Sequence, residues 1–226
     1  MSVTIHSELQ QGSVEWLNAR CGILTASEFK LILTPALKIA SNEKEKTHLY
    51  DLLAQRVTKH VEPTFQSYDM ERGNFDEEHA RAKYSETYAQ VTECGFITND
   101  DLGFTLGYSP DGLVGDDGLI ECKSRIQKWQ MQTLVEYVAK DEVPPDFIMQ
   151  VQAALYISKR KWCDFISYSG GMKMATVRSE PIPEYQEAIE LAAIAFEERM
   201  AEKLEIYNNL VASDARLIPT ERLIYL

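Results

Sequence analysis

Two acidic residues and a lysine form the most informative chemical pattern in this sequence. Asp111 is followed ten residues later by Glu121 and, two positions further on, by Lys123. Since side chains two positions apart on a strand point to the same face, Glu121 and Lys123 should lie side by side. The run Gly-Asp-Asp-Gly at 115–118 predicts a tight turn. A hairpin with that turn would bring Asp111 against the same face.

This arrangement suits metal-assisted hydrolysis. Two carboxylates hold a hard divalent cation such as Mg²⁺. Lys123 could orient or deprotonate a water, because nearby positive charge and partial burial are expected to lower the pKa of a lysine. Hydrolysis of a phosphodiester needs both an activated water and charge stabilisation. The alternative is an ordinary surface hairpin with a cross-strand ion pair, and these three residues alone do not separate the two interpretations.

Composition predicts an intracellular globular protein. The 226 residues fit one domain, and 45% hydrophobic residues are enough for a sizeable core. No segment approaches the length of a membrane span, and the first residues lack the basic start and apolar run of a secretion signal. The four cysteines form no CxxC pair, which argues against a metal–sulfur cluster and fits a reducing cytosol.

The formal net charge of −12 argues against a general nucleic-acid binder. It also leaves open an acidic metal-binding protein unrelated to nucleic acids. Bound cations would offset the acidic site residues, and the remaining negative charge could lie on an outer face. Basic residues cluster in three places, where a solvated face is the ordinary interpretation. The clusters are Lys38 with Lys44 and Lys46, Arg81 with Lys83, and Lys159 to Lys161.

Hydrophobic periodicity predicts helices, then strands, and then helices and strands again before a last helix. The predicted helices are 13–19, a short one starting at Thr25 or Ser27, 47–60 with Thr47 as its cap, 73–88, 126–139, 146–157 and 183–210. The predicted strands are 90–98, 103–108, 112–115, 118–123, 162–168 and 174–179. The lysine-rich stretch 36–46 is expected to be a mobile loop. This order predicts a mixed α/β fold, with one mixed sheet flanked by helices.

With these residues the chain resembles the phage lambda exonuclease family of viral recombination nucleases, within the PD-(D/E)xK superfamily. The resemblance implies the restriction-endonuclease-like core of that superfamily, a mixed sheet between helices, and it extends from Trp16 to about Ile157. Four sequence blocks carry it, and their order and spacing matter more than any single block. They are Trp16…Arg20-x-Gly-Ile-x-Thr-Ala-Ser-Glu28, Gly73-x-x-x-Glu77, Ser109-Pro-Asp-Gly112 with Glu121-x-Lys123, and Gln150-Val-Gln152.

The resemblance implies catalytic roles at matching positions. Asp111 and Glu121 would bind metal with the backbone carbonyl of Cys122, and Lys123 would orient the attacking water. Glu77 would be a further acid near a second metal, although its acidic run 76–78 is also typical of a solvated helix face. Gln150, the remaining member of this set, would position the scissile phosphate or the water; its alternative is a buried structural amide.

A second set would bind the end of the DNA. Arg20, with Ser27 and Ser109 as hydroxyl partners, would hold the terminal 5′-phosphate, because a guanidinium matches phosphate in two-pronged geometry. Structurally, Ser27 could instead be only a helix cap, and Arg20 only a partner of a helix dipole. Met70 would help to part the strands; the alternative is a methionine of the core.

The activity implied is that of a 5′→3′ exonuclease with two Mg²⁺ per site, Mn²⁺ being a substitute. It would degrade one strand of duplex DNA and leave a 3′ single strand. The expected setting is a phage or prophage protein in the bacterial cytosol, forming a homotrimeric ring and working with a single-strand annealing protein. A nuclease core over 13–180, a long helix over 183–210 and a tail over 211–226 are expected. The alternatives are an endonuclease with the same core and a non-catalytic protein that binds DNA ends.

Overall fold

The fold is mixed α/β, as predicted, and the computed structural model describes residues 3–63, 67–213 and 215–222. Its strands are β1 (Val3–His6), β2 (Leu24–Thr25), β3 (Phe96–Asn99), β4 (Leu106–Tyr108), β5 (Gly112–Val114), β6 (Gly118–Ser124), β7 (Trp162–Tyr168) and β8 (Ala175–Ser179). Its α-helices are α1 (Val14–Arg20), α2 (Phe29–Ile32), α3 (Glu43–Thr58), α4 (Tyr68–Thr87), α5 (Gln127–Gln132), α6 (Pro145–Ser158) and α7 (Pro183–Val211).

The strands form two four-stranded sheets rather than one. The first has the order β1-β3-β4-β2 and the second the order β5-β6-β7-β8. Both are mixed, because β2–β4 and β6–β7 are parallel pairs and the other neighbours are antiparallel. Tyr108 is the last residue of β4 and pairs with Ile97 in the first sheet. Gly112 is the first residue of β5 and pairs with Ile120 in the second sheet. The three residues between them therefore connect the two sheets.

Helix α6 lies in the centre of the main core. Its side chains are buried nearly all round, as expected of a helix enclosed by other elements. It contacts strands of both sheets and also α2 and α7. Helix α4 covers the opposite face of the second sheet, where Tyr84 packs with Ile120, Cys122 and Ile166. The second sheet is thus enclosed between α4 and α6, and its strand β6 has a different helix on each face.

The predicted loop at 36–46 is present only up to residue 42, because α3 begins at Glu43, and the predicted Thr47 cap is wrong. The side chain of Asn42 accepts hydrogen bonds from the backbone N–H groups of Lys44 and Glu45, at 2.9 and 3.1 Å, and begins α3 at Glu43. Asparagine is a stronger cap than threonine, and acidic residues in a first turn complement the helix dipole. Lys44 and Lys46 therefore belong to a helix rather than to a loop.

Two other helix boundaries differ from the predicted ones for local reasons. Helix α4 begins before Gly73, because Ser67 caps it by accepting from the Met70 N–H at 3.3 Å. The expected helix at 126–139 continues beyond α5 only as a π turn (Thr133–Tyr137) and a 3-10 turn (Val138–Lys140). In the part of the chain that the structure describes, no helix is long and apolar enough to cross a membrane.

Candidate active site

Glu121 is the centre of a buried polar cluster on β6. Its side chain is 1% exposed, and its Oε1 accepts from the Lys123 Nζ at 2.6 Å. The predicted juxtaposition of Glu121 and Lys123 on one face is therefore confirmed. Gln150 Nε2, on α6, donates to the same oxygen, and the Tyr108 hydroxyl donates to Oε2 at 3.0 Å. Three donors from three different elements thus fix this carboxylate.

Asp111 lies at the open end of the β5–β6 hairpin. The hairpin pairs Gly112 with Ile120, so beyond Ile120 strand β6 has no strand partner on that side. Asp111 takes this place, because its Oδ2 accepts from the Cys122 backbone N–H at 2.6 Å. The N–H and C=O of one strand residue point to the same side, so the Cys122 carbonyl also faces Asp111. Three oxygen-bearing groups therefore converge near the end of β6: the carboxylates of Asp111 and Glu121 and the carbonyl of Cys122.

Glu77 approaches the cluster from α4. Arg81, one turn further along the helix, donates to the Asp111 backbone carbonyl at 2.8 Å and to Glu77 Oε1 at 3.4 Å. The Ser124 hydroxyl donates to Asp76 Oδ2 at 2.5 Å, which fastens the same helix to the end of β6. The Glu77 side chain is 27% exposed, so it lies on a partly buried face of α4 rather than on a fully solvated one.

The cluster carries an excess of negative charge. Burial, together with the carboxylates of Glu121 and Glu77, raises the pKa of Asp111 well above its usual value. Burial also raises the pKa of Glu77, which Arg81 opposes. For Lys123, burial lowers the pKa, but Glu121 and Asp111 outweigh it, and the net change in pKa is upward. The predicted lowering of this pKa is therefore wrong, because the surrounding carboxylates hold Lys123 as a cation.

The donor set suits a hard cation. Among the described residues, no three His, Cys, Asp or Glu side chains form a complete cation cage. Mg²⁺ does not require one, because proteins bind it through one or two carboxylates while it keeps several waters or substrate oxygens. Asp111, Glu121 and the Cys122 carbonyl offer that kind of partial shell. The upward pKa shift of Asp111 marks the place where added positive charge would be stabilising.

Arg20 forms a second polar site beside the first. Its Nη1 donates to the Ser109 hydroxyl oxygen at 2.7 Å, and its Cζ lies 4.4 Å from the centre of the Trp16 ring. The Trp16 indole N–H donates to the same Ser109 oxygen at 3.0 Å. No carboxylate of the described residues forms an ion pair with Arg20, and burial lowers its pKa. The nearby Glu28 carboxylate opposes this lowering of the pKa, but it forms no direct ion pair with Arg20, so the desolvated guanidinium is still suited to bind an anion.

Ser27 joins this site through Thr25. Arg20 Nη2 lies 3.5 Å from Thr25 Oγ1, which is 3.4 Å from Ser27 Oγ. The expected helix here is a single 3-10 turn (Ala26–Glu28) followed by the four-residue α2. Glu28 closes the turn by accepting from the Thr25 backbone N–H at 2.7 Å. Ser27 therefore lies inside a short turn and does not cap a long helix.

Only Pro110 separates Ser109 of the second site from Asp111 of the first. Gln11 fixes this connection, because its side-chain amide donates to the carbonyls of Pro110 and Cys94 at 2.8 and 3.2 Å. The junction of the two sheets thus brings together the guanidinium of Arg20 and the acidic cluster.

The remaining predicted residues fall in different environments. Met70 is 49% exposed in the first turn of α4, so the core alternative for it is wrong. Gln152, the second glutamine of its block, is structural: it donates to the Ser179 hydroxyl and the Glu180 carbonyl, both at 2.9 Å, and accepts from the Ile182 N–H at 2.8 Å. These bonds anchor the start of α7.

The basic cluster Lys159 to Lys161 supports the β5–β6 hairpin. Arg160 donates to the carbonyls of Gly115 and Gly118, both at 2.8 Å, and Lys161 lies 3.0 Å from Asp117. They clamp the turn of the β5–β6 hairpin and so support the strand that carries Glu121.

Sequence reasoning missed the supporting groups. Tyr108 and Arg81 hold site residues through contacts that join distant parts of the chain, and no local pattern marks them. Trp16 was identified only as part of a sequence block, without a role of its own. Its position four residues before Arg20 was a usable signal, because side chains at i and i+4 of a helix are neighbours.

Comparison with known proteins identifies the family. The sequence profile of the YqaJ-like viral recombinase domain matches residues 15–161, a range that includes both sites. The chain belongs to the YqaJ-like viral recombinase family. This confirms the resemblance to the lambda exonuclease family. Among curated proteins, none matches this YqaJ-like recombinase significantly.

Solved structures agree. An alkaline exonuclease (LHK-Exo) from Laribacter hongkongensis is 30% identical, with a TM-score of 0.76 over 88% of this chain and 98% of that one. The same exonuclease in complex with dAMP is 31% identical, with the same TM-score and coverage. A phage-related exonuclease from Haemophilus somnus 129PT, 11% identical over 83% of this chain and 96% of that one, has a TM-score of 0.56 and shows the fold alone. This YqaJ-like recombinase therefore belongs among the exonucleases of viral recombination.

Proposed function

We propose that this YqaJ-like recombinase is a Mg²⁺-dependent 5′→3′ exonuclease. It digests one strand of linear duplex DNA and leaves a 3′ single-stranded overhang. The observation that carries the proposal is the segment from Ser109 to Asp111, which joins an anion-binding guanidinium to an acidic cluster. An enzyme that removes nucleotides from a phosphorylated end needs these two sites about one nucleotide apart.

The acidic cluster supplies the chemistry. Asp111, Glu121, the Cys122 carbonyl and, from α4, Glu77 would hold two Mg²⁺ ions, with Mn²⁺ as a substitute. When bound, such a pair supplies charge stabilisation for the attacking and leaving oxygens of an in-line displacement. Lys123, whose ammonium group is fixed by Glu121 at 2.6 Å, donates to the attacking water and orients it.

Gln150 fixes the other side of the reacting phosphate. Its amide already donates to Glu121, so the group is held on the side of α6 that faces the cluster. Small rotations of this amide would let it donate to a phosphate oxygen or to the water. The partial exposure of Gln150 fits that role better than the buried structural amide considered from sequence alone.

The second site selects the end of the DNA. Arg20 would bind the terminal 5′-phosphate together with Ser109 and Ser27, because charge-assisted bonds to phosphate are strong where water is excluded. Met70 would part the strands ahead of the site. It is exposed on α4, the helix that also carries Glu77, so a wedge there would keep a fixed distance from the catalytic acids.

Assembly completes the proposal. A homotrimeric ring around the DNA would keep a chain with a net charge of −12 on its substrate, because threaded DNA is enclosed. The negative outer face would repel DNA that is not threaded. Head-to-tail contacts close rings of this kind. The exposed 3′ strand would pass to a single-strand annealing protein. Digestion should continue after excess competitor DNA is added. A protein that has the mass of a monomer in solution, and whose digestion stops at once when the competitor is added, would refute the ring.

Linear and covalently closed circular duplexes of one sequence test the activity. The proposal expects Mg²⁺-dependent release of mononucleotides from the linear form and an intact circle. Cleavage of the circle would instead indicate an endonuclease with the same core. Tight binding to ends without hydrolysis would indicate a non-catalytic end-binding protein.

A further inference from the structure

Helix α5, which follows the catalytic strand directly, presents an aromatic ring and a cation to solvent. Trp129 is 45% exposed, and Lys128 Nζ lies 4.6 Å from the centre of its ring. Ile126 and Met131 beside it are 40% and 52% exposed. None of the site residues described above lies on this helix. An exposed tryptophan ring beside a cation can stack on a flat ring and attract a negative charge.

A half-buried arginine links this helix to the active site. The Arg125 Cζ lies 5.1 Å, and the Lys123 Nζ 5.9 Å, from the centre of the same Phe147 ring. Arg125 Nε is buried and has no hydrogen-bond partner within the described ranges. Burial lowers the pKa of Arg125, as it does for Arg20. Arg125 is therefore a second guanidinium close to the catalytic lysine, and its Nε donor is used by none of the described residues.

The position of α5 is rigid and lies across the active site from the end-binding pocket. The Arg125 N–H donates to the Tyr168 carbonyl of β7 at 2.7 Å. The buried Gln130 amide donates to the carbonyls of Ser167 and Lys173, at 3.1 and 2.8 Å, and accepts from the Ser167 hydroxyl at 2.5 Å. These bonds attach α5 on the β7 side of β6. Ser109 lies on the β5 side, so Glu121 and Lys123 of β6 stand between the two guanidinium groups.

We propose that Arg125 and Trp129 bind the first nucleotides on the 3′ side of the scissile phosphate. Arg125 holds a backbone phosphate, Trp129 stacks on an unpaired base, and Lys128 adds positive charge. Proteins that bind single-stranded DNA combine cations that follow the backbone with aromatic rings that stack on bases. A strand with its 5′-phosphate at Arg20 and its scissile bond at Lys123 would continue toward Arg125. The inference rests on the proposed function, because that function fixes the direction of the strand.

Binding of a 5′-phosphorylated single-stranded oligonucleotide tests the stacking. The Lys123→Ala background is suitable, because cleavage should stop there while binding persists. Trp129→Ala should weaken binding by about tenfold, the effect of losing one stacked base, and Trp129→Phe should retain most of the affinity. Tyr207→Ala is the matched control: this aromatic residue is 41% exposed on α7, a helix that carries none of the site residues, and its removal should change nothing.

Substrate changes separate base from phosphate recognition. An abasic position should weaken binding by about tenfold at one of the first nucleotides past the scissile bond, and the penalty should vanish in Trp129→Ala. A neutral methylphosphonate linkage in place of the phosphate that Arg125 holds should likewise remove the difference in affinity between the wild-type protein and Arg125→Ala. Equal affinity for all abasic oligonucleotides would overturn the proposal without relying on any variant. An altered sedimentation mass in Trp129→Ala, with unaltered affinity, would also overturn it and place this surface between copies of the chain.

Digestion of a linear duplex by the wild-type protein is measured in parallel. A protein that digests normally but binds abasic and intact oligonucleotides equally would refute only the stacking surface. A protein that shows the position-dependent abasic penalty but no digestion would support that surface and refute the exonuclease.

Discussion

Replacing Arg20 by alanine should remove the preference for a 5′-phosphorylated end. In the wild-type protein, Arg20 is anchored to Ser109 at 2.7 Å and makes only a long contact of 3.5 Å with Thr25. Because it forms no direct ion pair among the described residues, its guanidinium can donate to a phosphate. The 5′-hydroxyl end makes no such contact. The variant should therefore digest the two kinds of end at nearly equal rates.

The expected size follows from the chemistry of the contact. A charge-assisted hydrogen bond contributes about 1.5–3 kcal/mol, which corresponds to a factor of about 10 to 150 in kcat/KM. Arg20→Ala should lose that factor on the phosphorylated end and little on the hydroxyl end. The contact with the Trp16 ring at 4.4 Å is also lost, which should lower the free energy of unfolding by about 0.5–1 kcal/mol.

The assay compares kcat/KM for two duplexes that differ only in the 5′ group. Arg216→Ala is a suitable control, because that arginine is exposed in the C-terminal segment. Ser109→Ala should reduce the preference by a smaller factor, since it removes one acceptor that orients Arg20. Full retention of the preference in Arg20→Ala would refute the assignment of the pocket, whatever the activity of the variant.

Four further outcomes follow from the site and the core. Lys123→Ala should slow single-turnover cleavage by about 10²- to 10⁴-fold while leaving metal-dependent DNA binding in gel-shift titrations; a near-normal rate would remove Lys123 from the mechanism. Tyr108→Phe frees Glu121 Oε2 and should cost about 10- to 100-fold in Mg²⁺ affinity or activity, measured by Mg²⁺ titration. Asp111→Asn should abolish cleavage yet raise the thermal midpoint in chelator by about 2–4 °C, because it removes a charge that burial and neighbouring carboxylates disfavour. Asp164→Asn should lower the free energy of unfolding in urea by about 1–3 kcal/mol, since the buried Asp164 carboxylate accepts from the Tyr84 hydroxyl at 2.6 Å and from Arg178 Nε at 2.7 Å.

Local patterns were enough to predict the parts of the site that lie close in sequence. The two-residue spacing of Glu121 and Lys123 and the turn at 115–118 each have a local physical cause, and the structure contains both. Strand β7 was predicted with its observed ends, because its apolar run is bounded by charged and glycine residues. Block order along the chain then indicated which family the pattern belongs to.

Features that depend on distant contacts could not be predicted. The division into two sheets occurs at Ser109 to Asp111, which local sequence marks only as a turn. Arg81 reaches Asp111 across thirty positions of chain, and nothing near either residue indicates it. The upward pKa shift of Lys123 comes mainly from the neighbouring Glu121, and only its second cause, Asp111, is brought near by the fold. The start of α3 is a different kind of error, because Asn42 was a readable cap that was passed over for Thr47.

Release of label from a linear duplex tests the central claim most directly. One substrate carries the label at a phosphorylated 5′ end and the other at the 3′ end of the same strand. With Mg²⁺, the wild-type protein should release the 5′ label at once as a mononucleotide and the 3′ label only after digestion of the strand, while Asp111→Asn should release neither. Early release of the 3′ label, or equal release by wild type and Asp111→Asn, would contradict the account.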